Sequence, residues 1–176
     1  QCSGLSYDGH KGTDFALPTL ADMREGMAVI ASASGIVAGL RDGMPDTGFT
    51  AETEDQVEGR ECGNGVLLRH GDGWETQYCH LRQGSIPVAK GQQVARGEVL
   101  GLVGQSGRAQ FPHVHLSVRK DGVKVDPFDP DGTLSCATPG DSTLWADTPF
   151  YQPGGLIDVG FATQVPAYSD VKAGTA

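Results

Sequence analysis

Apolar residues come in short runs along this chain, broken every few positions by glycine, proline and small polar residues. Met27 to Ala31 and Gly35 to Leu40 are two strand-like runs separated by Ser32-Ala33-Ser34, which predicts a hairpin. Gly65 to His70 and Trp74 to Leu81 form a second pair, joined by Gly71-Asp72-Gly73, whose Asp-Gly step favours a tight turn. Val88-Ala89-Lys90-Gly91 recurs as Val94-Ala95-Arg96-Gly97 ahead of the apolar run Val99 to Val103, so the chain turns tightly here as well. The run His113 to Val118 alternates strictly. His113, His115 and Ser117 fall on one face and Val114, Leu116 and Val118 on the other, with the apolar face turned inward. The pattern predicts an all-β protein.

Two stretches lack any such period. Arg41 to Gly63 is polar and acidic, with Glu52, Glu54, Asp55 and Glu58, and reads as a long surface loop of the kind that rims a site. Beyond Asp126 the chain turns rich in proline and glycine, which places a domain end near Cys136. The expected organisation is one domain over residues 1–136 and a Pro/Gly-rich extension over 137–176. The extension's apolar run, Leu156 to Phe161, fits a linker, a strand that packs back, or the start of a truncated second domain.

Composition narrows the function. The 26 glycines and 10 prolines agree with short strands and many turns, while 38% hydrophobic content is too high for disorder. A net charge of -9 argues against a basic surface that holds nucleic acid. No apolar run approaches the ~20 residues of a membrane helix, so no transmembrane segment is expected. Four cysteines without C-x-x-C spacing point to disulfides rather than a cysteine metal site. Cys62 and Cys79 lie in or beside consecutive strand-like runs and are expected to pair, leaving Cys2 to clamp Cys136. Such bridges imply a periplasmic or secreted protein, its signal peptide already removed.

The histidines carry the chemistry. Two imidazoles on one face of His113 to Val118 can point into a groove and hold, or work beside, one metal ion. Upstream, Gly9-His10-Lys11-Gly12-Thr13-Asp14 sets a histidine and a carboxylate four apart. The glycines argue against a helix, and an extended segment puts positions 10, 12 and 14 on one face, with Gly12 leaving room between the two polar groups. Combined with His113 and His115, this supplies three protein ligands and an open fourth position, the layout of a catalytic zinc. Alternation puts His80 on the face opposite Cys79, so that a disulfide fastens the strand from behind while His80 faces the groove. His70, just before a turn, reads as structural or exposed.

These segments, in this order, resemble the lysostaphin-type (LytM-like) family of zinc metalloendopeptidases, which cut peptides of bacterial peptidoglycan. Gly9 to Phe15 is similar to the family's H-x-G-x-D signature, and Gly63-Asn64-Gly65-Val66 with His70-Gly71-Asp72-Gly73 resembles its central hairpin. Tyr78-Cys79-His80-Leu81 resembles its Tyr-x-His-Leu strand, and Pro112-His113-Val114-His115 its H-x-H strand. The resemblance, from about Gly9 to Asp129, implies a two-layer antiparallel β-sheet sandwich with a loop-walled groove. It also implies zinc bound by His10, Asp14 and His115, catalysis by His80 and His113, and peptidoglycan peptides as substrate; separately, a monomer is expected. The cysteines and the long acidic loop depart from the family's common pattern and bear on which wall peptide is cut; the disulfides favour the stem-peptide cross-links of Gram-negative walls.

Other readings are weaker. A latent or noncatalytic wall-binding regulator is the first alternative, with the acidic loop as the candidate block, although every expected ligand and both catalytic histidines are present. A biotinyl- or lipoyl-type carrier would need a lysine at a hairpin tip between the Val-Ala-Lys/Arg-Gly repeats, and none stands there. Gly104-Gln105-Ser106-Gly107-Arg108 fails the serine-hydrolase elbow at its last position.

Overall fold

The computed structural model describes residues 9–133, 142–149 and 167–175. Its strands are β1 (Thr13–Ala16), β2 (Ala28–Ile30), β3 (Gly35–Arg41), β4 (Asn64–Gly71), β5 (Trp74–Leu81), β6 (Gln93–Val94), β7 (Val99–Leu102), β8 (His113–Lys120) and β9 (Val123–Val125). Seven of them form one antiparallel sheet in the order β1-β8-β5-β4-β3-β6, with β9 pairing β8 beyond the end of β1, and β2 and β7 form a second, two-stranded sheet. Val29 and Leu100 from the small sheet bury against Val37, Val66, Leu68, Tyr78, Val114, Leu116 and Val118 from the large one. The expected all-β antiparallel architecture is borne out.

The turn chemistry explains the β4–β5 hairpin. Asp72 and Gly73 have φ of 47° and 74°, consecutive left-handed residues whose twist matches that of the flanking strands. The two Val-Ala-Lys/Arg-Gly repeats are also turns of one design. Ala89 N–H donates to Gln92 Oε1 and Ala95 N–H to Glu98 Oε2, at 3.0 and 2.9 Å.

The first predicted hairpin is a correction. The run ending at Ala31 pairs with β7, whereas the run starting at Gly35 pairs with β4 and β6, so Ser32-Ala33-Ser34 carries the chain between sheets instead of turning it back. Tyr78 holds that crossover: its hydroxyl accepts from Ser32 N–H at 2.8 Å and contacts Ser32 Oγ at 2.7 Å. A helix, α1 (Leu20–Glu25), was also not anticipated. Its signal is local, a Thr19/Asp22 capping box at the start and Gly26 at φ 94° at the end.

The 41–63 segment is mostly irregular, with a 3-10 turn (Ala51–Thr53) running into a short helix, α2 (Glu54–Val57). A disulfide between Cys62 and Cys79 ties its end to β5, as expected; the expected Cys2–Cys136 bridge lies outside the described residues. With the two cysteines 17 positions apart, replacing both by alanine is expected to lower stability by about 3 kcal/mol in the chain-entropy model. Urea unfolding checks this, and an unchanged midpoint would mean that the loop's other contacts hold it alone.

The region boundary expected near Cys136, and the run Leu156 to Phe161, also fall outside the described residues. The described parts of the extension pack on the rest. Trp145 sets its ring edge-on to Phe15 and against Phe128. Helix α3 (Tyr168–Ala173) meets α1, where Arg24 donates to Ala173 O at 3.3 Å.

Candidate metal centre

Five side chains meet on the face of the large sheet turned away from the core. His10 comes from the loop before β1, Asp14 from β1, His80 from the end of β5, and His113 and His115 from β8. Asp14 and His115 are direct cross-strand partners, so their side chains leave the sheet on one side. The alternation read for β8 holds: Val114, Leu116 and Val118 are in the core while the two histidines and Ser117 face the site.

Three donor atoms converge. His10 Nε2 lies 3.1 Å from Asp14 Oδ1, His115 Nδ1 lies 2.7 Å from that oxygen, and the two nitrogens are 3.2 Å apart. Bonds of about 2.0–2.1 Å in a tetrahedron would separate two ligands by about 3.3 Å, so this triangle has roughly the size of one face of a zinc site. The proton on His115 also fits. Ser117 Oγ donates to Lys11 O at 3.2 Å and therefore accepts from His115 Nε2–H at 3.1 Å. The 2.7 Å contact between His115 Nδ1 and Asp14 Oδ1 calls for a proton or a cation between the two atoms. Burial alone would raise the Asp14 pKa, but the His115 hydrogen bond and the imidazoles of His113, His115 and His10 together outweigh it and hold it at about 2. His10, Asp14 and His115 are the one such donor group among the described residues.

Gly12 shows why the spacing works. A Cβ there would sit 2.5 Å from His115 Nε2 and 2.6 Å from Leu116 O. Gly12→Ala is therefore expected to push His115 off its position and weaken zinc binding by about tenfold or more, as loss of a ligand-orienting contact does. Competition with a fluorescent chelator reads this directly, and an unchanged affinity would show that the ring can shift at no cost.

His80 and His113 lie beside this triangle with ring centroids 4.6 Å apart. His80 Nδ1–H donates to Ser106 O at 2.8 Å and His113 Nδ1–H to Phe111 O at 2.9 Å, because a carbonyl only accepts. Each neutral ring thereby keeps a bare Nε2. Burial lowers both pKa values, that of His80 to about 4 with help from the His113 charge, so both rings are neutral near pH 7.

His80 reaches the site differently than alternation predicts. Cys79 stands in register with His115, so its side chain, and the disulfide with it, lies on the site face and not behind it. His80 joins the same side because its backbone is left-handed, φ 64°, where β5 leaves regular pairing with β4 between Asn64 and Val66. That conformation, unusual for a residue with a Cβ, is clamped by His80 N–H to Cys62 O at 2.8 Å and Gly104 N–H to His80 O at 3.1 Å.

Asn64, fully buried, is the supporting residue that the sequence reading missed. Its amide donates to Met44 O at 2.7 Å and Leu81 O at 3.1 Å, its Oδ1 accepts from Met44 N–H at 2.8 Å, and its backbone N–H donates to Ser106 Oγ at 2.9 Å. One side chain thus joins the long loop, the end of β5 and the Ser106 turn that holds His80. The Asn in Gly63-Asn64-Gly65 was visible, but its partners are distant in sequence. His70 has the structural role expected, bonding Ser34 O at 2.9 Å and Thr76 Oγ1 at 2.7 Å.

A cavity of about 550 Å³ lies under the long loop between Arg41, Met44, Gln56 and Arg60, and none of the five site residues lines it. Within the long loop, Asp46 instead accepts from the backbone N–H groups of Gln83 and Gln105, each at 2.8 Å.

The chain is similar to known bacterial proteins. The peptidoglycan DD-endopeptidase ShyA of Vibrio cholerae is 32% identical over 130 residues, 74% of this chain and 25% of ShyA. The DD-carboxypeptidase/endopeptidase Mpg of Neisseria meningitidis is 35% identical over 120 residues, 67% of this chain and 22% of Mpg. The chain therefore spans about a quarter of the length of these curated relatives. Among solved structures, the catalytic domain of the prophage-encoded M23 protein EnpA from Enterococcus faecalis superposes with a TM-score of 0.53 at 27% identity, covering 75% of this chain and 85% of that one. The model of peptidase family M23 matches residues 8–127, and the chain belongs to that family.

Proposed function

We propose that the chain is a zinc-dependent metalloendopeptidase that hydrolyses peptide cross-links of bacterial peptidoglycan, working as a monomer in the periplasm or as a secreted enzyme. The observation that carries the reading is the triangle of His10 Nε2, Asp14 Oδ1 and His115 Nδ1, at zinc-ligand spacing with two neutral imidazoles beside it. The peptidoglycan DD-endopeptidase activity in the name of ShyA supports the substrate class, and the name of Mpg carries an endopeptidase activity as well.

In this reading His10, Asp14 and His115 hold the metal. Bound zinc lowers the pKa of a water to about 7 and polarises a peptide carbonyl. His80 and His113 present bare Nε2 atoms beside the triangle, so one would take a proton from the attacking water, and the other would donate to the developing oxyanion or the leaving amine once its own Nε2 has gained a proton. The carbonyls of Ser106 and Phe111 fix each ring by its Nδ1–H, so neither ring has to reorient when its Nε2 gains or loses a proton. The latent or noncatalytic alternative is not favoured, because all five residues are in place. Incubation with purified Gram-negative peptidoglycan tests the reading. Mass spectrometry should show cross-linked fragments replaced by monomers, and an unchanged fragment pattern would contradict it.

A further inference from the structure

The sheet face that carries His113 and His115 continues along β8 to Ser117 and Arg119, and Lys124 of β9 stands directly across from Arg119. β9 follows β1 along the same edge of β8, and Lys11 enters just ahead of β1, where its carbonyl accepts from Ser117. The Arg119 guanidinium reaches back toward the metal centre. It donates to Gln77 Oε1, and Gln77 lies opposite Ser117, the next residue after His115 on that face. At about 3.3 Å per residue the guanidinium sits roughly 7 Å along the sheet from His115, the length of about two residues of extended peptide.

The three cations lack acidic partners. Lys11, Arg119 and Lys124 make no ion pair among the described residues, and Glu75, the acid in register with Arg119, is engaged by Arg69 at 3.0 Å. The Lys124 ammonium is held below its ordinary range, first by desolvation and then by the charges of Arg119 and Lys11. In a chain with 22 acidic and 13 basic side chains, a group of like positive charges beside the site has an evident complement in an anion. A guanidinium fork matches a carboxylate in particular.

We propose that Lys11, Arg119 and Lys124 seat a free carboxylate of the substrate peptide about two residues from the cleaved bond, and so select acidic wall peptides over neutral ones. The inference rests on the endopeptidase reading, and two assays separate their failures. The first compares cleavage of a cross-linked stem-peptide dimer with free carboxylates and of its carboxamide form. The second measures by calorimetry how tightly the intact zinc-loaded chain binds the two forms of the monomer, the product, which is not cut further.

The free-acid dimer should show about tenfold higher kcat/KM than the carboxamide, mostly through KM, and the free-acid monomer should bind correspondingly tighter. Arg119→Gln and the exposed-site variant Lys124→Gln should each narrow both ratios several-fold, with a steeper loss in salt for wild type than for either variant. Equal cleavage of both dimers and equal binding of both monomers would overturn the carboxylate seat while leaving the endopeptidase reading standing. Preferential binding of the acid monomer with neither dimer cut would keep the seat and overturn the endopeptidase reading. An acid preference that persists in the Arg119→Gln/Lys124→Gln double variant would also overturn the seat.

Discussion

His115→Ala is expected to abolish cross-link cleavage, reducing the rate by roughly a thousandfold or more, and to take zinc content from one ion per chain to near zero at micromolar zinc. Loss of a group that merely orients a ligand costs about 10–100-fold, and His115 is a ligand itself in this account. It supplies the Nδ1 that stands 2.7 Å from Asp14 Oδ1 and 3.2 Å from His10 Nε2. Without it two donors remain, too few for a catalytic zinc site. The fold should survive, because Val114, Leu116 and Val118 hold β8 in the core from its other face. Elemental analysis with circular dichroism checks both points, and a variant that is folded, zinc-loaded and active would show that the metal is held elsewhere.

Removing either bare imidazole should have the opposite pattern. His80→Ala and His113→Ala are expected to keep the zinc and lose about a hundred- to ten-thousandfold in kcat, with little change in KM, the usual reach of one general acid or base. Neither ring is needed to complete the donor triangle, and each is anchored through Nδ1 to a backbone carbonyl. Zinc loss in either variant would make that histidine a ligand, and an unaltered kcat would remove it from the chemistry.

The parts of this site that could be read in the sequence are those governed by local spacing. Alternation over His113 to Val118 put two imidazoles on the site face because β8 runs without a register break, and Gly12 between His10 and Asp14 marked a close approach that the structure shows to be against His115. The Asp-Gly turn of β4–β5 was likewise a local signal. What escaped depends on partners far along the chain. Two adjacent apolar runs looked like one hairpin, but each found a better partner, β7 for one and β4 and β6 for the other, which no local pattern announces. Period-2 counting failed at Cys79 and His80 because it assumes an unbroken strand, and the left-handed backbone of His80 is imposed by Cys62, Gly104 and the bulge opposite. The role of Asn64 is visible only once the long loop folds over it.

The central claim is that His10, Asp14 and His115 hold a zinc ion that cuts wall cross-links. It is tested most directly by stripping the metal with a chelator and restoring it stepwise while following conversion of cross-linked fragments to monomers. Cleavage should stop on chelation and return in full at one equivalent of zinc, with no return in His115→Ala. Cleavage indifferent to chelation, or restored equally in that variant, would contradict the account.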